Sequence, residues 1–175
     1  MKKKSIIITI ILIIAILLIV STIRPKQTQL AESDYETKEE LLTFIADNLI
    51  SGGVSKDAIP SIDNPVYITA DEAQIEPSQQ IYGTIITDQA YAYPQSILYW
   101  HEIVNHKTDE GKQFSVTYCP LTETTIGYLD VELGVSGKLY NSNLVTYDRK
   151  TDALIPQILG IKVTENVGEK LKTFD

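Results

Sequence analysis

The 175-residue chain contains very few of the residues that build disulfide frameworks and metal clusters, with one cysteine, one methionine, one tryptophan and two histidines. The lone cysteine, Cys119, excludes an intrachain disulfide framework and a zinc site made of several cysteines. Basic residues are also scarce, because 15 Lys and Arg stand against 23 Asp and Glu, for a formal net charge of −8. Nucleic-acid-binding domains carry a basic patch, so we expect no nucleic-acid partner.

Motifs of several large enzyme classes are missing as well. The sequence contains no glycine-rich phosphate loop, HExxH zinc motif, EF-hand loop or nucleophile elbow.

One long hydrophobic run is present near the N-terminus. Residues 5–23 carry no charge and would form roughly 28 Å of helix, close to the ~30 Å hydrocarbon core of a bilayer. Residues 1–4 include three lysines, which favours a cytoplasmic N-terminus. We therefore predict a single-pass transmembrane signal anchor in the cell membrane. The alternative is a cleaved signal peptide, for which Ser21-Thr22-Ile23 is a poor cleavage site.

The remainder of the chain is then extracytoplasmic. Residues 24–36 are polar and without periodicity, as in a linker, and residues 37–175 form the predicted domain. Beyond Lys26, ten basic residues stand against 23 acidic ones. Such a domain is repelled by nucleic acid and by anionic lipid, and we interpret its charge as an ordinary soluble surface.

Short strands outnumber helices in the predicted domain. Capping boxes at Thr37–Glu40 and Thr69–Glu72 predict helices that end near Gly52-Gly53 and before Pro77. A third helix is predicted from Pro94 through Asn105, and a hairpin from 81–87 and 90–93. Further strands are predicted at 66–68, 114–118, 124–128, 132–136, 144–147 and 160–163. We expect an α+β fold with a mostly antiparallel sheet or partial barrel and a few short helices.

Cys119 and His101 are the residues best suited to chemistry. On one helix, Asn105 would share a face with His101 and orient its imidazole. If the thiol and the imidazole meet, His101 can take the thiol proton so that Cys119 acts as a nucleophile. Alternatively, both ligate copper or zinc, with further ligands from His106, Glu102, Asp148 or a tyrosine.

Structural roles compete with these interpretations. A free cysteine often packs as a small buried hydrophobe, and His101 could pack beside Trp100. Asp148-Arg149 is typical of an ion pair at a surface or sheet edge. The tyrosines, Tyr118 among them, suit a strand core or rim.

Six motifs follow one another along the chain: KDAIPSIDNP (56–65), AYAYP (90–94), ILYWHEIVN (97–105), VTYCPL (116–121), GVSG (134–137) and LYNSNLVTYDR (139–149). Their sequences and order resemble a known family, named domain of unknown function 3179. The resemblance covers about residues 41–163 and implies an exported or membrane-anchored prokaryotic protein. It implies no settled activity.

The chain departs from the family pattern at three places. Thr122 stands where many members have a second cysteine, which excludes a Cys-x-x-Cys redox pair. Glu123 replaces the usual glycine, and the stretch Ile155-Pro156-Gln157 lacks a tryptophan found in the family. His101 and Cys119 remain from the pattern.

Three hypotheses follow for this extracytoplasmic domain. The first is a metal site, with copper favoured over zinc, at Cys119 and His101. The second is an enzyme with Cys119 as nucleophile and His101 as base, and the third is a structural or interaction module. The supporting residues are Trp100, Glu102, Asn105, Tyr118, Asn141, Asp148 and Arg149.

Overall fold

The computed structural model describes residues 35–174. The predicted segments 1–4 and 5–23, and all but the last two residues of the linker 24–36, lie outside this range. Within it, no helix combines the length and apolar character needed to cross a bilayer.

Two short helices and eleven strands make up the described part of the chain. The helices are α1 (Lys38–Asp47) and α2 (Gln95–His101). The strands are β1 (Ile50–Ser51), β2 (Ile62–Asp63), β3 (Ile81–Ile86), β4 (Gln89–Pro94), β5 (Ile103–Lys107), β6 (Gln113–Cys119), β7 (Thr124–Leu129), β8 (Leu133–Tyr140), β9 (Asn143–Asp148), β10 (Leu154–Pro156) and β11 (Lys172–Phe174).

These strands form three sheets. A five-stranded sheet has the order β11-β7-β6-β5-β2, a four-stranded sheet has the order β1-β8-β9-β10, and β3 and β4 form a separate hairpin. Only the pairing of β2 with β5 is parallel among the described strands. The expected α+β class with mostly antiparallel sheets is confirmed, and none of the described sheets closes into a barrel.

Strand β6 lies at the centre of the fold and is covered on both faces. Successive side chains of a strand point to opposite faces. Tyr118 accordingly belongs to a cluster with the β3–β4 hairpin, whereas Cys119 belongs to a cluster with β8 and β9. Tyr118 and Cys119, although adjacent in sequence, therefore pack on opposite faces of the five-stranded sheet.

The first capping box acts as predicted. Thr37 Oγ1 accepts the Glu40 N–H at 3.1 Å, and the Glu40 carboxylate accepts the Thr37 N–H at 3.2 Å. Helix α1 nevertheless ends at Asp47, with Asn48 as its C-cap, rather than near Gly52-Gly53. The chain enters the short strand β1 directly afterwards, so pairing with β8 replaces a further helical turn.

The predicted helix from Pro94 to Asn105 is too long by one turn. Helix α2 ends at His101, because Glu102 has left-handed backbone angles (φ 58°, ψ −29°), and β5 begins at Ile103. The β-branched pair Ile103-Val104 favours a strand. Val104 and Asn105 therefore lie on a strand, and Asn105 does not share a helix face with His101.

Three smaller predictions are wrong. The second capping box forms only a turn, in which Glu72 accepts hydrogen bonds from the Thr69 N–H and hydroxyl at 3.0 and 2.8 Å. The segment 66–68 is not a strand, and 160–163 contributes only an isolated bridge between Ile161 and Lys170. Within residues 35–174, the two predicted strands have no partner that extends their pairing into a regular ladder.

Candidate functional site

The corner where α2 meets β5 brings two of the sequence motifs side by side. The Tyr118 N–H donates to the Glu102 carbonyl at 2.7 Å, and the register continues with Ile103 opposite Thr117. His101 and Cys119 are the outer neighbours of this hydrogen-bonded pair. The two chain segments that carry them are thus adjacent.

Cys119 is buried between the two larger sheets, with 1% of its surface exposed. Its Sγ accepts the Leu144 N–H at 3.3 Å, and the thiol lies 3.9 Å from the Ser142 carbonyl. The turn that presents these groups is Asn141-Ser142, whose φ angles are 48° and 63°. Asn141 therefore contributes through its backbone, because the β8–β9 turn requires two consecutive residues with left-handed backbone angles.

His101 is held by a backbone carbonyl from a distant part of the sequence. Its Nδ1 lies 2.8 Å from the Pro60 oxygen, and since a carbonyl only accepts, Nδ1 must donate. In the neutral ring this leaves Nε2 with its lone pair, the state required of a general base or a metal ligand. Ile59, next to Pro60, packs against the cluster that contains Cys119.

Glu102 has the most unusual environment at this corner. Burial raises the pKa of its carboxyl to about 7, and no hydrogen bond within residues 35–174 reaches that carboxyl group. Its backbone has positive φ, which is uncommon for a residue other than glycine. A raised carboxyl pKa combined with backbone strain is typical of functional sites.

Asn105 has a structural role, in contrast to the predicted support of His101. Its Nδ2 donates to Asp63 Oδ1 at 2.8 Å and to the Leu133 carbonyl at 2.9 Å. Its Oδ1 accepts from Ser115 Oγ at 2.6 Å and from the Leu133 N–H at 2.9 Å. The buried amide therefore connects β2, β5 and β6 to the start of β8 with its full hydrogen-bonding capacity.

Asp148 and Arg149 both form ion pairs, but not with each other. Arg149 Nη1 lies 2.8 Å from Asp63 and 2.8 Å from Glu132. Asp148 is buried against Lys162 Nζ at 3.0 Å, and its hydrogen bonds with Lys162 and the Lys150 N–H lower its pKa although burial opposes this. Among residues 35–174, both side chains are occupied by these ion pairs, and no hydrogen bond links either of them to Cys119.

The second histidine, His106, lies among aromatic rings. Its ring centroid is 5.1 Å from Tyr67, 5.1 Å from Tyr91 and 5.0 Å from Phe114. Burial lowers the pKa of His106, and its Nδ1 has no hydrogen-bond partner within 35–174. Because β5 alternates, His106 faces the β3–β4 hairpin and is not available to Cys119.

A buried polar network lies next to Cys119 and is not evident from the sequence. Gln157 Nε2 donates to Thr117 Oγ1 at 2.9 Å and its Oε1 accepts from Asn143 Nδ2 at 2.8 Å. Asn143 Nδ2 also reaches Thr122 Oγ1 at 3.0 Å, which is the position that many family members fill with a second cysteine. Only the family's glutamine at 157 pointed to this network.

The remaining motif residues differ in their exposure to solvent. Tyr118 is fully buried, with its hydroxyl 3.0 Å from Gln95 Nε2. Trp100 is 75% exposed and Tyr99 is 55% exposed, so Trp100 does not pack in the core. Both rings line a surface cavity of about 370 Å³ between α2 and the residues that precede β3.

Among residues 35–174, no group of three or more His, Cys, Asp and Glu side chains is arranged to hold a metal ion. The predicted site therefore reduces to Cys119 and His101, with Glu102 between His101 and strand β5.

Comparison with known proteins identifies the family. A family model described as Protein of unknown function (DUF3179) matches residues 56–175, which include all of the motifs from 56 to 149. Neither the curated proteins nor the solved structures give a match. The chain belongs to the DUF3179 family of proteins of unknown function.

Proposed function

We propose that this domain binds copper(I) through the Cys119 thiolate and the His101 imidazole, outside the cell membrane. The observation that carries the proposal is the 2.7 Å hydrogen bond from the Tyr118 N–H to the Glu102 carbonyl, because it keeps the neighbouring residues His101 and Cys119 on adjacent chain segments.

The chemistry of the two donors favours copper. A thiolate is a soft ligand that selects Cu(I), and imidazole also suits copper. Cu(I) accepts low coordination numbers, whereas structural zinc sites take four ligands. A pair consisting of one thiolate and one imidazole is therefore better matched to Cu(I) than to Zn²⁺.

The surroundings of each donor support the same role. The hydrogen bond from His101 Nδ1 to the Pro60 carbonyl is the kind of contact that fixes the ring of a metal-ligating histidine. The Leu144 N–H on Cys119 Sγ stabilises negative charge on sulfur. Binding would release the thiol proton, and the burial of Cys119 would keep the metal from solvent.

Metal titration tests the proposal directly. The full chain, purified without a metal-affinity step, is titrated with Cu(I) held by bicinchoninate, and transfer is followed by absorbance. We expect one Cu(I) per chain, with sulfur and nitrogen donors in the X-ray absorption spectrum. Stoichiometric uptake should disappear in Cys119→Ser and in His101→Gln.

His106→Gln is the matched control, since it removes the other histidine from a site on the opposite sheet face, and it should bind copper like the unmodified chain. Equal uptake by Cys119→Ser and the unmodified chain would reject the proposal. Failure to take up Cu(I), together with rapid alkylation of Cys119 at neutral pH, would favour the nucleophile hypothesis instead.

The location is part of the proposal. We infer that residues 5–23 hold the domain at the outer face of the cell membrane, on the basis of their length and lack of charge. The full chain should stay with membranes after an alkaline carbonate wash, and a chain lacking residues 1–26 should not. Release of the full chain by the wash would contradict the anchor.

A further inference from the structure

The cavity beside α2 has an unusual combination of side chains. It measures about 370 Å³, within the range of small-ligand sites. Two aromatic rings, Tyr99 and Trp100, form one wall, with ring centroids 6.3 Å apart and an angle of 73° between their planes. The polar wall consists of amide and hydroxyl side chains, including Gln79, Gln80 and Ser96.

The aromatic pair lies at the surface rather than in the core. Trp100 is 75% exposed and Tyr99 is 55% exposed, although burial of each ring would contribute a large apolar area to the core. Leu98, on the same helix, already fills the core position with no exposed surface. The two rings are therefore available to a ligand.

The polar wall is pre-organised by hydrogen bonds. Gln79 Nε2 donates to Ser96 Oγ at 2.5 Å, Gln80 Nε2 to Tyr82 at 3.2 Å, and Gln95 Nε2 to Tyr118 at 3.0 Å. Within residues 35–174, these three glutamines use only their side-chain nitrogens, which leaves the amide oxygens as acceptors. Rigid acceptors of this kind suit a ligand that offers several hydroxyl donors.

The charges of the cavity and of the domain both disfavour an anionic ligand. Every residue that lines the cavity is uncharged, and the chain beyond Lys26 has ten basic against 23 acidic residues. A polyanion would meet no cationic partner in the cavity and would be repelled by the domain as a whole. A neutral ligand would avoid both effects.

We propose that the cavity formed by Tyr99, Trp100 and the three glutamines binds a neutral, polyhydroxylated ligand, namely a sugar unit of an oligosaccharide or polysaccharide. The C–H faces of a pyranose ring stack on Trp100, and its hydroxyls donate to the glutamine amide oxygens. This inference is independent of the copper site, because Cys119 faces the opposite side of β6 from Tyr118.

The single tryptophan of the chain makes the test direct. The full chain is kept in a detergent whose headgroup carries no sugar, and Trp100 fluorescence is followed during titration with neutral hexasaccharides of glucose or N-acetylglucosamine. We expect a blue shift of the emission and weaker quenching by acrylamide. The corresponding monosaccharides distinguish a site for a free sugar from a site for a chain.

Calorimetric titration of variants tests the residues. Trp100→Ala and Gln95→Ala should each weaken binding by about tenfold or more, the change that corresponds to about 1.4 kcal/mol. The matched control is Ile85→Ala, which removes a comparably exposed apolar side chain from the β3–β4 hairpin outside the cavity, and its affinity should not change. Copper uptake by Ile85→Ala should also equal that of the unmodified chain.

The proposal fails if no neutral saccharide shifts the emission, or if Trp100→Ala and Ile85→Ala bind equally well. It also fails if a sulfated saccharide binds more tightly than the neutral one, or if phospholipid vesicles free of saccharide cause the same shift. Loss of copper uptake in Cys119→Ser with unchanged saccharide binding would support two separate sites.

Discussion

Asn105 shows how much of this fold depends on a single side chain. The amide replaces a neighbouring strand for Leu133, since it both accepts from the Leu133 N–H and donates to the Leu133 carbonyl. A buried polar group is costly if its partner is removed. The sequence pattern predicted that Asn105 lies on one helix with His101. Only the long-range contact with β8 shows that Asn105 has a structural role.

Replacement of Asn105 should destabilise the domain strongly. Asn105→Ala leaves both Leu133 backbone groups without their partner and removes one hydrogen bond to Asp63, so we expect a loss of about 3 kcal/mol in the free energy of unfolding. Asn105→Asp should be at least as harmful near neutral pH, because a second carboxylate then lies beside Asp63. Urea denaturation monitored by circular dichroism measures both effects.

Asp63→Asn provides the control for that charge. In the Asn105→Asp background it removes the repulsion and should restore part of the lost stability, whereas in the unmodified chain it should destabilise by breaking the contact with Arg149. If the two substitutions were simply additive, the repulsion would not exist.

Glu102 should make stability depend on pH. Its folded-state pKa is raised to about 7 from an ordinary value of 4.5, so the folded state holds the proton more tightly than the unfolded state. Its carboxyl therefore costs no stability below pH 4.5, and the cost develops as the pH rises from 4.5 to about 7.

Glu102→Gln removes this ionisation. We expect the variant to be more stable than the unmodified chain at pH 8, by roughly 1–2 kcal/mol after allowance for partial solvent exposure. At pH 4.5 the two proteins should unfold at nearly the same denaturant concentration. An equal difference in stability at both pH values would mean that the carboxyl group is not held in its neutral form.

At the scale of elements, the sequence predicts best where local rules act alone. The capping box at Thr37 and the hairpin of 81–87 with 90–93 depend on neighbouring residues, and both the start of α1 and the β3–β4 hairpin form as predicted. The box at Thr69 satisfies the same local rule but lacks a buried apolar face, and only a turn forms. Strands β10 and β11 were missed because three residues are too few to show alternation.

The candidate site was predictable only in part. Its residue types, Cys119 and His101, were evident from the sequence motifs. The adjacency of the chain segments that carry them depends on the register of β5 against β6, and the burial of Cys119 depends on the β8–β9 turn. Both depend on contacts between distant residues, which no local pattern encodes. From the sequence, Thr122 was recognised only as a departure from the family pattern, and Gln157 only as a residue retained from it.

The edge strand β11 has a specific requirement for Gly127. A Cβ atom at Gly127 would overlap the Phe174 ring, which packs on β7 opposite this glycine. Gly127→Ala must displace the ring, and we expect a destabilisation of roughly 1–3 kcal/mol, as for other overpacked sites.

Gly83, in β3, is the matched control glycine. The nearest atom to a Cβ there is the Tyr91 carbonyl oxygen at 3.8 Å, and its backbone does not have positive φ. Gly83→Ala should change the thermal midpoint little, or raise it slightly by restricting the unfolded chain. If both substitutions lowered the midpoint equally, contact with Phe174 would not be the cause.

At the scale of the whole molecule, the two larger sheets are joined by polar as well as apolar contacts. The cluster around Cys119 combines residues of β5, β6 and β7 with residues of β8, β9 and β10. Asn105 and Gln157 add buried hydrogen bonds across the same interface. Because these contacts share one interface, we expect the two sheets to separate only in a cooperative transition.

Hydrogen exchange of the Leu133 N–H, which donates to the Asn105 side chain, can measure that transition. This amide proton is buried, and its acceptor belongs to the other sheet, so it can exchange with deuterium only when the sheets part. Its exchange should therefore be among the slowest in the domain and should report the free energy of global opening. The Gly53 N–H, whose one acceptor within residues 35–174 is the exposed Ser51 hydroxyl, should exchange quickly. Comparison of the two amides would measure the opening of the interface that contains Cys119.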